Sequence, residues 1–233
     1  MLVHAHGFAV ARGVAAHVDV ELDVRGGLPA FSVIGLGGAA ARDARERVHA
    51  AVLNSGFAFP RKRMTANLAP AASARGAPAF DLVLACCVLA AQEELDAARL
   101  ARIGLFAELG LRGDLRPCEG VGAAAAAAEQ ARLGGLIVAR GDLREARAAG
   151  ALAVAGMSSL RVVAALLASG RQQPSRRAIR QREERLPAAP ARTGAATREG
   201  GPAHARAREE PLNQTPRASP SGAPAAVNGE RGR

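Results

Sequence analysis

Several kinds of side chain are nearly absent from this sequence, and each absence excludes a class of chemistry. Lys62 is the only lysine, so the 31 basic residues are otherwise all arginine. A P-loop nucleotide site needs a glycine-rich turn that ends in Lys-Ser or Lys-Thr, because the lysine bridges the terminal phosphates. No glycine loop precedes Lys62. The sequence therefore predicts that this chain does not hydrolyse nucleotides through a P-loop.

Cysteines and long apolar runs are also scarce. The three cysteines include one adjacent pair and no CxxC pattern, which argues against both a disulfide framework and a zinc site. Cys86 and Cys87 fall in an apolar helix, where we expect them to act as small hydrophobes. No window approaches the roughly 18 apolar residues that a membrane span needs, and the N-terminus has no cationic lead before a hydrophobic run. We therefore expect a cytoplasmic location and no membrane partner.

Composition divides the chain into two parts. Residues 171–233 contain 13 basic and 6 acidic residues and 8 of the 13 prolines. Their only aliphatic residues larger than alanine are Ile179, Leu186, Leu212 and Val227. Such a segment cannot bury enough apolar surface to offset the entropy lost on ordering. We predict one folded domain at residues 1–170, which is long enough for a sizeable core, and a disordered basic tail at residues 171–233.

The order of apolar patterns predicts an α/β (α+β) domain with a mixed sheet packed with helices. Residues Ala16–Val24 alternate between apolar and polar, which is typical of a strand with one buried face. Ala39–Ser55 has the helical period and a stop signal at Gly56. Asp81 begins an apolar helix that reaches Gln92, and we expect its carboxylate to act as the N-cap. Further short elements are predicted at Val3–Val10, Met64–Ala69, Ala97–Leu100, Ile103–Leu109, Gly122–Leu133, Leu136–Ala139, Leu143–Ala148, Leu152–Ala155 and Leu160–Leu167.

Two patterns in the first half resemble ligand sites, and we interpret both as structural. Gly35–Ala40 fits G-x-G-x-x-A, but we expect Ala30–Ile34 to form a hairpin rather than the βαβ frame of a dinucleotide site. The next strand also ends without an acidic residue for a ribose hydroxyl. His17 shares the polar face of its strand with three carboxylates. Ligands along one flat strand do not converge without partners from elsewhere, so we expect a solvated face and no metal site.

Four stretches carry a resemblance to a known family. Asn67-Leu68-Ala69-Pro70-Ala71, followed by Phe80-Asp81-Leu82, resembles the signature of the Mg-chelatase-like AAA+ ATPases of the YifB/ComM type, in their N-terminal Lon-protease-like domain. GLPAFSVIGL, DARERV and FAELGLRGDLRPCEGV resemble three other segments of that domain. The resemblance implies a Lon-protease-domain-like fold. It also implies structural roles for the motif residues Asn67, Pro70, Phe80, Asp81, Leu82, Glu108, Gly113, Arg116 and Pro117.

The same resemblance bears on catalysis. Lon proteases use a Ser–Lys dyad, but the corresponding stretches here, Gly76–Asp81 and Gly120–Gly122, contain neither serine nor lysine. ATP and Mg²⁺ would belong to the AAA+ module that follows this domain in full-length members. We therefore expect no catalytic residue, no metal and no cofactor in this chain, and thus no enzyme. We expect a truncated or frameshifted gene product. A stand-alone protein with an arginine-rich tail is the competing account.

Because these catalytic mechanisms are excluded, we expect this chain to act by binding another molecule. Full-length relatives of the family are ring-forming ATPases linked to DNA branch migration in recombination and natural transformation, which implies DNA contact or ring assembly for this domain. We predict contact with single-stranded or branched DNA through Arg61, Lys62, Arg63 and Arg75 beside one loop, and through Arg42 and Arg45 on a helix.

Three alternatives to that reading stay open. The helix charges would otherwise form an ordinary solvated face. The chain would otherwise be a scaffold that contacts its own copies or an AAA+ subunit without DNA, or a degraded protease-like remnant. With six phenylalanines as the only aromatic residues of the FWY class, we expect base stacking to contribute little.

Overall fold

The computed structural model describes residues 1–71 and 78–168. The predicted boundary at residue 170 and the predicted tail lie outside these residues. In chain order the elements are β1 (Leu2–Ala11), β2 (Val14–Arg25), β3 (Ala30–Ile34), α1 (Gly38–Asn54), β4 (Arg63–Ala69), α2 (Asp81–Ala90), α3 (Ala97–Leu100), β5 (Gly104–Phe106), β6 (Glu108–Leu109), β7 (Leu115–Arg116), α4 (Val121–Gln130), β8 (Leu136–Ala139), α5 (Leu143–Ala148), β9 (Val154–Met157) and α6 (Leu160–Leu167). Within the described ranges, no helix is both long and apolar enough to cross a membrane.

Seven strands form one mixed sheet in the order β3-β4-β2-β1-β5-β8-β9. The pairs β1–β2 and β2–β4 are antiparallel, while β3–β4, β1–β5, β5–β8 and β8–β9 are parallel. The strands β6 and β7 form a separate hairpin, and Gly113 in its turn has φ +83 as the predicted turn requires. The mixed α/β class is confirmed.

The alternation of β2 sorts its side chains onto two faces of the sheet. Val18, Val20 and Leu22 are fully buried in the core that α1 and α2 cover. The opposite face of β2 carries His17 and Asp19 and is only partly covered. A second core cluster on that opposite side joins Phe8 of β1 to α4. The period-two pattern therefore predicted the buried side chains correctly from Val18 to Val24, whereas Ala16, near the start of the strand, is exposed.

All ten residues of α2 are buried, because the helix packs between α1 and the sheet. Cys86 and Cys87 lie within it, fully buried, and burial raises the pKa of the Cys87 thiol to about 12. A thiol held neutral in an apolar environment is a poor nucleophile and a poor metal ligand. The expectation that the two act as small hydrophobes is confirmed.

The predicted hairpin at β3 is wrong. Strand β3 pairs in parallel with β4 and has no pairing with β2, and α1 is the crossover that connects β3 to β4. Gly35–Ala40 therefore does lie in a strand–helix–strand frame, because parallel neighbours require such a crossover. Gly35 has φ +94, and a Cβ there would lie 2.5 Å from the carbonyl oxygen of Leu68. The first glycine of the motif thus lets the loop pack against β4.

Three element ends also differ from prediction. Phe80, not Asp81, occupies the N-cap position of α2, and no side chain caps that helix. The predicted strand at residues 103–109 divides at Ala107 into β5 and β6, which belong to different sheets. After α4 the left-handed residue is Arg132, with φ +56, rather than the expected glycine at position 134. Helix ends depend on local hydrogen bonds that apolar periodicity does not encode.

Candidate functional site

The Asp81 carboxylate joins three segments that are distant in the sequence. Arg47 of α1 donates from Nε to Asp81 Oδ2 at 2.6 Å and from Nη2 to Oδ1 at 3.1 Å. The backbone N–H of Leu109 donates to Oδ2 at 3.3 Å. Asp81 is fully buried, and the Arg47 side chain is 23% exposed. The carboxylate therefore serves as a bridge between α1, α2 and the β6–β7 hairpin, which is why it does not cap α2.

Burial dominates the electrostatics of this bridge. Desolvation raises the pKa of Asp81 to about 6, although the hydrogen bond and charge of Arg47 and the Leu109 amide act in the opposite direction. The hydrogen bond to Asp81 in turn raises the pKa of Arg47. The pair is thus ionised at neutral pH, and its carboxyl takes up a proton in mildly acidic solution.

The titration of Asp81 predicts how stability varies with pH. The pKa of Asp81 is about 6 in the folded state and 3.8 at its ordinary value, so the folded state binds the proton more tightly than the unfolded chain. Asp81 therefore contributes most stability below pH 4 and loses that contribution as the pH rises through 6. We expect the free energy of unfolding of the native chain, relative to Asp81→Asn, to fall between these pH values. Urea unfolding at several pH values measures it, and a difference that is constant or rises with pH contradicts the assignment.

The other motif residues occupy structural positions. Phe80 and Leu82 are fully buried in the core. Arg116 lies 3.8 Å from Glu108 and 3.1 Å from Asp114 across the β6–β7 hairpin. The carbonyl of Gly113 accepts a hydrogen bond from the first residue of α6 at 2.8 Å. Asn67 is partly exposed, and Pro70 and Pro117 are exposed.

The predicted basic residues do not form one patch. Arg61 and Lys62 are exposed and line one cavity, whereas the side chain of Arg63, the first residue of β4, lines a different cavity beside Asp23 and Arg25. Successive strand residues point to opposite faces, so adjacency in the sequence separates Arg63 from its neighbours. Arg75 lies outside the described residues.

The two helix arginines differ in their surroundings. Arg42 is exposed on α1. Arg45 donates from Nη1 to the carbonyl oxygen of Phe31 at 3.2 Å and lines a cavity of about 390 Å³ with His49 and Phe59. The cavity beside Arg45 shares Phe31, His49 and Phe59 with the cavity beside Arg61 and Lys62.

We call the cavity beside Arg61 and Lys62 the aromatic groove. It has a volume of about 550 Å³ and lies between the start of β3, the end of α1 and the segment before β4. The groove residues used below are Phe31, His49, Phe57, Phe59, Arg61 and Lys62. The Phe59 ring centroid lies 4.5 Å from that of His49 and 5.8 Å from that of Phe31, both edge to face. Half of the phenylalanines of the chain thus meet at one surface.

Sequence reasoning missed this groove because low aromatic content was averaged over the whole chain. Its rings come from three separated segments, which only the β3–α1–β4 crossover brings together. One local signal was present. Phe57 and Phe59 directly precede the basic cluster in the sequence FAFPRKR.

Comparison with known proteins identifies the family. Residues 20–142, more than half of the chain, match the family described as subunit ChlI of Mg-chelatase. This matched range contains β4, the aromatic groove and all three segments that meet at Asp81.

Relatives of greater length match the same region. The chain is 39% identical to competence protein ComM of Haemophilus influenzae over 115 residues, which cover 49% of this chain and 23% of that protein. It is 39% identical to the uncharacterized protein YifB of Escherichia coli over 128 residues, 55% of this chain and 25% of YifB. An uncharacterized Mycobacterium tuberculosis protein is 37% identical over 155 residues, 66% of this chain and 31% of that protein. The chain therefore spans a quarter to a third of these relatives' length, and it belongs to the Mg-chelatase subunit ChlI family, in its YifB/ComM group.

Proposed function

We propose that this chain is the non-catalytic, Lon-protease-like N-terminal domain of a YifB/ComM-type AAA+ protein and that its aromatic groove binds single-stranded DNA. The observation that carries the proposal is the meeting of three half-buried phenylalanine rings and His49 with Arg61 and Lys62. Proteins that hold single strands without sequence preference combine stacking rings with cations that follow the phosphates.

The geometry of the groove suits unpaired bases. Phe31, Phe57 and Phe59 are each partly exposed, so a ring surface is available to a base without unfolding the core. Arg61 and Lys62 are exposed and line the groove, so their charges are available to phosphates of a bound strand. A cavity of about 550 Å³ has room for a small number of unpaired bases.

The family context agrees with this role. One relative is named a competence protein, and that name supports a role for this chain in competence. In this proposal ATP and Mg²⁺ belong to an AAA+ module, the chain acts in the cytoplasm beside such a subunit or its own copies, and the arginine-rich residues 171–233 add sequence-blind affinity.

The test is DNA affinity of the full chain as a function of salt. We expect Arg61→Ala/Lys62→Ala to weaken binding of a labelled oligothymidine about tenfold at low salt. The slope of log affinity against log salt concentration should become shallower by up to about two, because up to two phosphate contacts are lost. We expect Phe59→Leu, which keeps apolar volume but removes the ring, to weaken binding about fivefold or more. Fluorescence anisotropy measures both effects.

The matched control removes the same charge elsewhere. Arg112→Ala/Arg144→Ala eliminates two exposed arginines outside the groove and should change affinity less than twofold. If the control and the groove variant lose affinity equally, binding is nonspecific and the groove is not the site. If groove variants leave DNA affinity unchanged but dissociate oligomers, the chain is an assembly scaffold instead.

A further inference from the structure

Two histidines and an aspartate converge on the face of the sheet opposite α2. His6 of β1 and Asp19 of β2 are directly opposite each other in the antiparallel pair. His17 lies one position further along on the same face, opposite Phe8. Directly opposed and diagonal cross-strand neighbours are within reach of long side chains. His6 of β1 thus supplies a third potential ligand beside His17 and Asp19, which β2 alone does not provide.

The ligand atoms of these three side chains are close enough to share one ion. His6 Nδ1 lies 3.1 Å from Asp19 Oδ1 and 3.0 Å from His17 Nε2. His17 Nε2 lies 3.7 Å from Asp19 Oδ1. In a tetrahedral zinc site with bonds of about 2.0–2.1 Å, ligand atoms are separated by about 3.3 Å. The three separations scatter around that value, so a point about 2 Å from all three atoms exists.

The hydrogen bonds of His6 orient its free nitrogen toward that point. His6 Nε2 lies 3.0 Å from the carbonyl oxygen of Ala101, which only accepts hydrogen bonds, so Nε2 carries the proton. In the neutral ring, Nδ1 then directs a lone pair at the Asp19 carboxylate and at His17 Nε2. The two acceptors at 3.1 Å repel each other unless a cation, or the proton of a donating His17 Nε2–H, lies between them. A backbone carbonyl that holds the far nitrogen of a histidine is the usual support of a metal ligand.

We propose that His6, His17 and Asp19 bind one divalent transition-metal ion of the Zn²⁺ class. Two imidazole nitrogens and a carboxylate suit Zn²⁺, whereas Mg²⁺ and Ca²⁺ prefer oxygen ligands. Asp19 is 61% exposed and the two histidines are half-buried, so the remaining coordination position is open to water or to a ligand from a partner. The ion pins β1 to β2 at the middle of the sheet.

A further observation favours the ion. Within residues 1–71 and 78–168 these three side chains are the one group of its kind whose ligand atoms all lie within 4.8 Å of one another. The neighbouring pair His4 and Glu21, on the same face, lies 3.6 Å apart without a third ligand and provides the natural control.

The experiment titrates the full chain with Co²⁺, which reports its ligands by visible absorption, and then displaces it with Zn²⁺. We expect one equivalent of Co²⁺ with a d–d band and no thiolate charge-transfer band. His17→Gln and Asp19→Asn should each weaken binding at least tenfold, while His4→Gln should leave it unchanged. Excess Zn²⁺ should raise the melting temperature of the native chain and of His4→Gln but not of the two ligand variants.

Several outcomes would overturn the proposal. Absence of a stoichiometric Co²⁺ complex means that hydrogen bonds alone, rather than a metal, hold the three side chains together. A thiolate band assigns the ion to Cys118 or another cysteine. Binding that survives in both ligand variants assigns it to His49 or His204 instead. Because Arg61 and Lys62 are not involved, failure of the metal site leaves the DNA-binding proposal untouched.

Discussion

Replacing Arg47 with methionine is expected to destabilise the domain by about 3–5 kcal/mol, because the substitution leaves the Asp81 carboxylate buried without its cation. Among the described residues, Arg47 donates two hydrogen bonds to that carboxylate and the backbone N–H of Leu109 donates one. Methionine keeps most of the aliphatic volume, so the loss reports the charge rather than a cavity. Urea unfolding monitored by circular dichroism measures the change.

Three controls separate this effect from general damage to α1. Arg42→Met, on the exposed side of the same helix, should change the free energy of unfolding by less than about 0.5 kcal/mol. The Arg47→Met penalty should shrink at pH 5, since a carboxyl that has lost its cation takes up a proton more readily. The double variant Arg47→Met/Asp81→Leu should recover part of the loss, because no charge then remains buried. A loss below about 1 kcal/mol for Arg47→Met at pH 7 would show that Asp81 does not depend on Arg47.

The second large effect is expected at the glycine motif between β3 and α1. Gly35→Ala should destabilise the domain by about 2–4 kcal/mol, because a left-handed alanine is strained and its Cβ collides with the neighbouring strand. The backbone at Gly35 has φ +94, and the added Cβ would lie 2.5 Å from the Leu68 carbonyl oxygen. Thermal and urea denaturation both report the loss.

The matched control lies three residues later in the same motif. Gly38 begins α1 without a positive φ, and a Cβ there would meet nothing within 4 Å. Gly38→Ala should therefore be neutral or stabilise by up to about 1 kcal/mol. If both variants fold normally and instead lose affinity for a dinucleotide, the motif serves a cofactor, and the packing explanation is wrong.

The faces of strands could be predicted from the sequence, but their neighbours could not. Alternation in β2 identified Val18, Val20 and Leu22 as core residues, because a period of two is a local property. The partner of β3 depends on whether the chain folds back or crosses over, and Gly26-Gly27 is compatible with both. The predicted hairpin is wrong for this reason, and Gly35–Ala40 lies in a strand–helix–strand frame that was not expected.

Site residues show the same limit. The family motifs identified Asp81, but its local position at the start of a helix suggested an N-cap, whereas its actual partner, Arg47, lies 34 positions away. Likewise, Arg61–Arg63 formed one cluster in the sequence and two separate surfaces in the fold. A metal site at His17 needed a further ligand from outside its own strand, and His6 of β1 lies in that position. Nothing in the spacing of the sequence identified His6 as that residue.

The central place of β1 in the sheet has a consequence for synthesis of the protein. This first strand is the fourth of seven, with β2 on one side and β5 on the other. Pairing with β2 is available as soon as residue 25 leaves the ribosome, but the opposite edge has no partner until Gly104 follows. An open strand edge invites pairing with other chains. We therefore expect the nascent polypeptide to need chaperone protection until Gly104 has emerged, and a pause in that interval to favour aggregation.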